Sequence, residues 1–122
     1  MTHLLIIALS GGLGTLLRYG ALTWVGTKNF PWGTLTVNVV GSFIMGVVFV
    51  LITEKGLINP AFKPYVMTAF LGAFTTFSTF SLDTFQLIES GQISSALLYI
   101  LGSVVLCVLV LVVGIAGARS IF

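Results

Sequence analysis

Long apolar segments alternate along this chain with short polar connections. The apolar segments cover roughly residues 4–25, 33–53, 64–89 and 95–117, and each has the length of about 20 residues that a helix needs to cross a bilayer. The connections, near 27–31, 55–60 and 90–92, contain glycine, proline, asparagine and lysine, which are typical of turns. The pattern therefore predicts an all-α integral membrane protein with four transmembrane helices, with residues 1–122 forming a single domain.

Composition strengthens this prediction and excludes other classes. Hydrophobic residues make up 57% of the chain and charged residues 7%, whereas a soluble domain has about 25% charged residues. The net charge of +2 is too small to indicate a nucleic-acid partner. We therefore expect a multi-pass protein of the cell (plasma or inner) membrane, in contact with lipid and without a nucleic-acid partner.

The few charges hardly fix an orientation in the membrane. Four spans place both termini on one side, together with Lys55, Lys63 and Arg119, while Lys28 lies on the other side. Because positive charge is retained on the cytoplasmic side, so slight a bias selects an orientation only weakly. Two outcomes stay open, namely dual topology, in which copies insert both ways up, and one fixed orientation.

The third segment contains the most informative polar feature, a hydroxyl-rich run at residues 75–81. The run TTFSTFS places five hydroxyls and two phenyl rings within an otherwise apolar span. Since hydrocarbon offers no hydrogen-bond partner, such a run has to line a cavity or pack against protein. Gly72 precedes it, and a glycine followed by serine and threonine is a place where a membrane helix can break. A break here would free carbonyls that suit a cation and N–H groups that suit an anion.

Polar positions in the other segments are fewer and more regular. They recur every four residues and so share one helix face: Thr34, Asn38 and Ser42 in the second segment, and Ser95, Tyr99, Ser103 and Cys107 in the fourth. The Asn38 amide could hold two helices together or face a pore or dimer interface. Arg18 could snorkel to the membrane surface or give a vestibule a positive potential. Asp83, just after the run, could flank the second half-helix or lie in a vestibule.

Catalytic machinery is missing from the sequence. His3 is the only histidine, and there is no Cys/His cluster for zinc and no nucleophile–base set. We therefore do not expect an enzyme. Two classes remain, a small ion-conducting or transporting protein and a non-transporting membrane scaffold, and polar groups gathered on defined faces favour the first.

Three motifs resemble the Fluc (CrcB) family of fluoride channels over nearly the whole length. They are GGLGTLLRYG at 11–20, GTLTVNVVGSF at 33–43, and the glycine and hydroxyl-rich run of GAFTTFSTFS at 72–81. The chain departs from the family pattern at three positions. Thr15 replaces the usual alanine, Ala73 a frequent glycine and Asp83 the usual glutamate.

The resemblance implies a function and an assembly. It implies passive, fluoride-selective export through two pores of a dual-topology antiparallel homodimer. It also implies a third helix broken mid-membrane and a structural Na⁺ at the dimer centre, held there by the Gly72 and Thr75 carbonyls of both subunits. It implies a fluoride pathway lined by Asn38, Phe77, Phe80, Ser78, Thr79, Ser81, Tyr99 and Ser103, with Arg18 and Asp83 at vestibules. The alternatives are a small dual-topology transporter of another solute and a non-transporting scaffold.

Overall fold

The protein is described by a computed structural model over residues 1–26 and 28–122. Thr27, part of the first predicted connection, lies outside the described residues. Every regular element among them is helical. The helices are α1 (Thr2–Val25), α2 (Trp32–Glu54), α3 (residues 64–74), α4 (Phe77–Glu89) and α5 (Ile93–Ile121). The last part of α2, Val50–Glu54, and the first part of α3, Pro64–Leu71, are π-helical. A 3₁₀ turn at Pro60–Phe62 precedes α3.

Four helical stretches of the described chain are long and apolar enough to cross a membrane. They are Thr2–Val25, Trp32–Glu54, Pro60–Glu89 and Ile93–Ile121, which confirms the number and order of the predicted spans. Their ends coincide with turn residues. Gly26 ends α1 with φ 83°, and Gly91 turns the chain between α4 and α5 with φ 79°, a backbone conformation that glycine adopts without a steric penalty.

The third span is broken in its middle, as the sequence predicted. Thr75 (φ −86°, ψ 159°) and Thr76 (φ −151°, ψ 125°) are both extended. The break does not lie at the glycine, because Gly72 keeps helical angles of φ −62° and ψ −33°. Beyond the break, α4 has 13 residues and is about 20 Å long, less than the ~30 Å of a hydrocarbon core. Its first residue therefore lies at membrane depth.

Packing is closest where small residues let two backbones meet. A Cβ added at Gly46 would overlap the Leu111 carbonyl of α5, and one at Gly14 would overlap the Phe70 carbonyl of α3. Close backbone packing of this kind favours helix association in lipid, because the hydrophobic effect does not drive apolar helices together there. The small buried cluster of Phe80, Leu87, Ala96 and Tyr99 joins α4 to α5. The outer faces of α1 and α5 stay apolar and exposed, which suits contact with lipid.

Candidate functional site

A cavity of about 380 Å³ opens beside the break, between α2, α4 and α5. We call it the central groove. Its polar lining comes from Asn38 and Ser42 of α2, the two threonines of the break, and Ser103 and Cys107 of α5. Its described lining includes no carboxylate, histidine, lysine or arginine. The remaining lining residues are Gly41, Met45, Phe77, Phe80, Val104, Val108 and Leu111.

Asn38 holds the break in place through both of its amide atoms. Its Nδ2 donates to the Thr76 carbonyl at 3.0 Å, and the Thr76 N–H donates to its Oδ1 at 2.8 Å. These two bonds satisfy the N–H and the carbonyl of Thr76, which a break would otherwise leave without partners in the membrane. The interhelical role that the sequence left open for Asn38 is thus present. Among the described residues its second N–H makes no hydrogen bond, so Asn38 also offers a donor to the groove.

The break leaves the carbonyls of residues 72–75 without helical donors, and for two of them the lost donor is bonded elsewhere. The Thr76 N–H, which would bond the Gly72 carbonyl in a continuous helix, bonds Asn38 instead. The Thr79 N–H, which would bond the Thr75 carbonyl, donates to Thr76 Oγ1 at 3.2 Å. These are the two carbonyls to which the family resemblance assigns a Na⁺. No group of three or more His, Cys, Asp or Glu side chains gathers for a metal within the described ranges. Hard carbonyl oxygens fit Na⁺ rather than a transition metal.

Three aromatic rings form a row from the open side of the groove to the core. The ring centroids of Phe77 and Phe80 are 5.3 Å apart, and those of Phe80 and Tyr99 are 5.0 Å apart. Phe77 is 76% exposed whereas Phe80 is 8% exposed. Phe77 thus faces out of the chain, and Phe80 stands between the groove and Tyr99.

The predicted hydroxyls fall into different surroundings. Ser103 lines the groove, and its buried Oγ has no partner among the described residues. Thr79 and Ser78 lie against the Thr76 hydroxyl, with oxygen–oxygen distances of 3.2 Å and 3.4 Å. Ser81 donates to the Phe77 carbonyl of its own helix at 3.0 Å. Of these four, only Ser103 lines the groove.

Tyr99, Asp83 and Arg18 lie outside the groove. The Tyr99 hydroxyl donates to Asp83 Oδ2 at 2.9 Å, which links α5 to α4. Arg18 is partly buried on α1, and it forms no ion pair with any described carboxylate.

Three polar lining residues of the groove, Ser42, Thr76 and Cys107, were not among the predicted site residues. Thr76 caps the N-terminus of α4, where its hydroxyl oxygen accepts a hydrogen bond from the Thr79 N–H. Threonine is a preferred residue at this position before a helix. Cys107 continues the four-residue spacing of Tyr99 and Ser103, so the signal for it was present in the sequence.

Together, the four spans and the polar groove define a small multi-pass membrane protein of the cell membrane. Residues 5–115 match the protein family described as CrcB-like protein, Camphor Resistance (CrcB), and the chain belongs to this family.

The sequences of named relatives align with almost the whole chain. The chain is 50% identical to the fluoride-specific ion channel FluC of Magnetococcus marinus over 119 residues, or 94% of this chain and 96% of that protein. It is 47% identical to the fluoride-specific ion channel FluC of Hahella chejuensis over 122 residues, or 98% and 96%. These names are those of channels rather than enzymes, in agreement with the prediction.

Proposed function

We propose that the chain is a fluoride-selective passive channel that exports fluoride across the cell membrane. The observation that carries this proposal is the composition of the central groove. It gathers the Asn38 amide, the unpartnered Ser103 hydroxyl and the rings of Phe77 and Phe80. Family membership and the fluoride channels among the relatives support the same ion.

The groove chemistry suits a small, strongly hydrated anion. Fluoride has to exchange part of its water for other donors, and several weak donors along a path allow both binding and release. The amide and the hydroxyl supply directed donors, and phenyl edges carry the positive part of the ring quadrupole. The N-terminus of α4 lies at the groove and adds the positive end of a helix dipole.

Liposomes that contain the purified protein provide the test. We expect efflux of fluoride but not chloride, driven by the anion gradient and a potassium ionophore and independent of a proton gradient. Equal flux of both anions would refute the proposed selectivity for fluoride over chloride. Flux that requires a proton gradient would favour a coupled transporter, and the absence of flux would favour a scaffold.

The assembly that we propose is an antiparallel dual-topology homodimer with two pores. Its support is the small number of charges that could select an orientation, with Lys28 on one side against Lys55, Lys63 and Arg119 on the other. Two or three lysines added to one set of connections should bias insertion and reduce flux, and a copy biased the other way should restore it. A C-terminal reporter found on one side only, in an active unmodified protein, would refute dual topology.

We also propose a structural Na⁺ between the subunits, held by the Gly72 and Thr75 carbonyls of each. Its support is that both carbonyls have lost their helical donors to Asn38 and Thr76. A bound Na⁺ would supply a fixed positive charge that balances these carbonyl dipoles. This chain's own contribution is to keep the break rigid, through the two bonds from Asn38.

A further inference from the structure

A second cavity, of about 200 Å³, lies at the ends of the helices, beside the connections before α2 and after α4. We call it the outer cavity. One wall is the connection from Lys28 to Pro31 before α2, and the other is formed by the end of α4 and the turn that follows. Six of its nine described lining residues are polar or charged, in contrast to the mostly apolar central groove. Such a lining can receive an ion that still carries its water.

The outer cavity is separated from the central groove by two aromatic side chains. Asp83 lines the outer cavity and accepts the 2.9 Å bond from the Tyr99 hydroxyl. The Tyr99 ring lies 5.0 Å from the Phe80 ring, and Phe80 lines the central groove. Phe30, which also lines the outer cavity, packs against Tyr99 with nearly perpendicular rings whose centroids are 5.4 Å apart. The two cavities are therefore adjacent compartments on either side of Phe80 and Tyr99.

The two charged residues of the outer cavity, Asp83 and Lys28, differ in their contacts. One oxygen of Asp83 is held by Tyr99, and the carboxylate would repel an approaching anion. Lys28 is the only cation among the described lining residues. The one ion pair found within residues 1–26 and 28–122 is Arg119 with Glu54, so Lys28 is not neutralised by a described carboxylate at short range. Its ammonium group can offset the Asp83 field and raise the local concentration of anions.

We propose that the outer cavity is the mouth of the ion pathway, and that Lys28 is the residue that captures hydrated fluoride there. This inference rests on the proposed channel function. Lys28 would attract the anion through its electrostatic field rather than through a fixed contact. Its effect should therefore depend on ionic strength, whereas a purely structural role would not.

The test compares fluoride efflux from neutral phosphatidylcholine vesicles at low and high ionic strength, adjusted with an impermeant salt. A unit charge about 8 Å from the ion in water changes its local concentration about twofold, and charge reversal changes it about fivefold. We therefore expect Lys28→Gln to lower flux about twofold and Lys28→Glu about fivefold at low salt. Both losses should vanish near 1 M salt, where the screening length is about 3 Å. Lys28→Arg should retain full flux.

Lys55→Gln is the matched control, because it removes the same charge from an exposed connection outside this cavity. It should leave flux unchanged at both salt concentrations. Equal losses in the Lys28→Gln and Lys55→Gln proteins would mean that only net charge matters, and would overturn the assignment. Normal flux in Lys28→Gln and Lys28→Glu at low salt would also overturn it while leaving the channel function intact. A wild-type protein without fluoride flux would refute both.

Discussion

Replacing Asn38 by aspartate tests the contact that holds the break. Asparagine presents an N–H to the Thr76 carbonyl and an oxygen to the Thr76 N–H, at 3.0 Å and 2.8 Å. Asn38→Asp keeps the size of the side chain and its acceptor. When the carboxyl group is ionised, an oxygen replaces the donor, so that two acceptors face each other across about the same distance.

The cost follows from these contacts. The Thr76 carbonyl loses its donor and is left without a partner inside the protein, which costs about 1–3 kcal/mol. A cost of about 1–3 kcal/mol corresponds to a shift of about 5- to 150-fold in the equilibrium between the held and released break. We therefore expect a clearly lower unfolding temperature and a loss of most fluoride flux.

Two assays separate the roles of the amide. Thermal unfolding in detergent reports on the held break, and fluoride efflux from liposomes reports on the pathway. Thr36→Val is a matched control on the same helix, because the Thr36 hydroxyl donates only to its own backbone, at the Trp32 carbonyl. Wild-type stability together with wild-type flux in Asn38→Asp would refute the reasoning. Lower stability with normal flux would keep the structural role and remove Asn38 from the pathway.

Three further predictions concern the rings, the groove wall and the cation. Phe77→Ile and Phe80→Ile should both reduce fluoride efflux. Only Phe80→Ile should lower the unfolding temperature, because the Phe80 side chain is 8% exposed and the Phe77 side chain 76%. Normal flux in both variants would exclude the rings from conduction. Gly41→Ala should cost about 1–3 kcal/mol of stability and reduce flux, because its Cβ would overlap the Thr75 side chain. Gly102→Ala meets no atom within 4 Å and serves as its control, so equal loss in both would contradict the packing argument. Exhaustive replacement of Na⁺ by a much larger cation at constant ionic strength should lower activity or dimer stability, and indifference to the cation would remove the proposed Na⁺.

The sequence predicted the number of spans, the break and the polar faces because each depends on local pattern. A span is visible as a run of apolar residues, and the hydroxyl-rich run is conspicuous within one. The position of the break was less predictable. Glycine suggested residue 72, yet the chain breaks at Thr75 and Thr76 because Asn38, 38 residues away along the sequence, supplies the bonds that stabilise an extended peptide there.

Other features depend wholly on tertiary contacts. The link between Tyr99 and Asp83 joins residues from different helices, and the side-chain spacing on either helix gives no sign of it. The π-helical stretches at Val50–Glu54 and Pro64–Leu71 also lack a signature in the apolar pattern. Packing against neighbouring helices decides such a local change of helix type, so the sequence could not place them.

The two bonds between Asn38 and Thr76 bear on how fast ions can cross. If the break had to rearrange in every cycle, these bonds would have to open each time, and collective motions of this kind take microseconds to milliseconds. A break that stays fixed leaves the ion's own dehydration as the main barrier. Throughput could then exceed about 10⁶ ions per second, a rate that such motions would not allow. Discrete single-molecule currents, rather than slow cyclic turnover, are the expected electrical signature of this helix break.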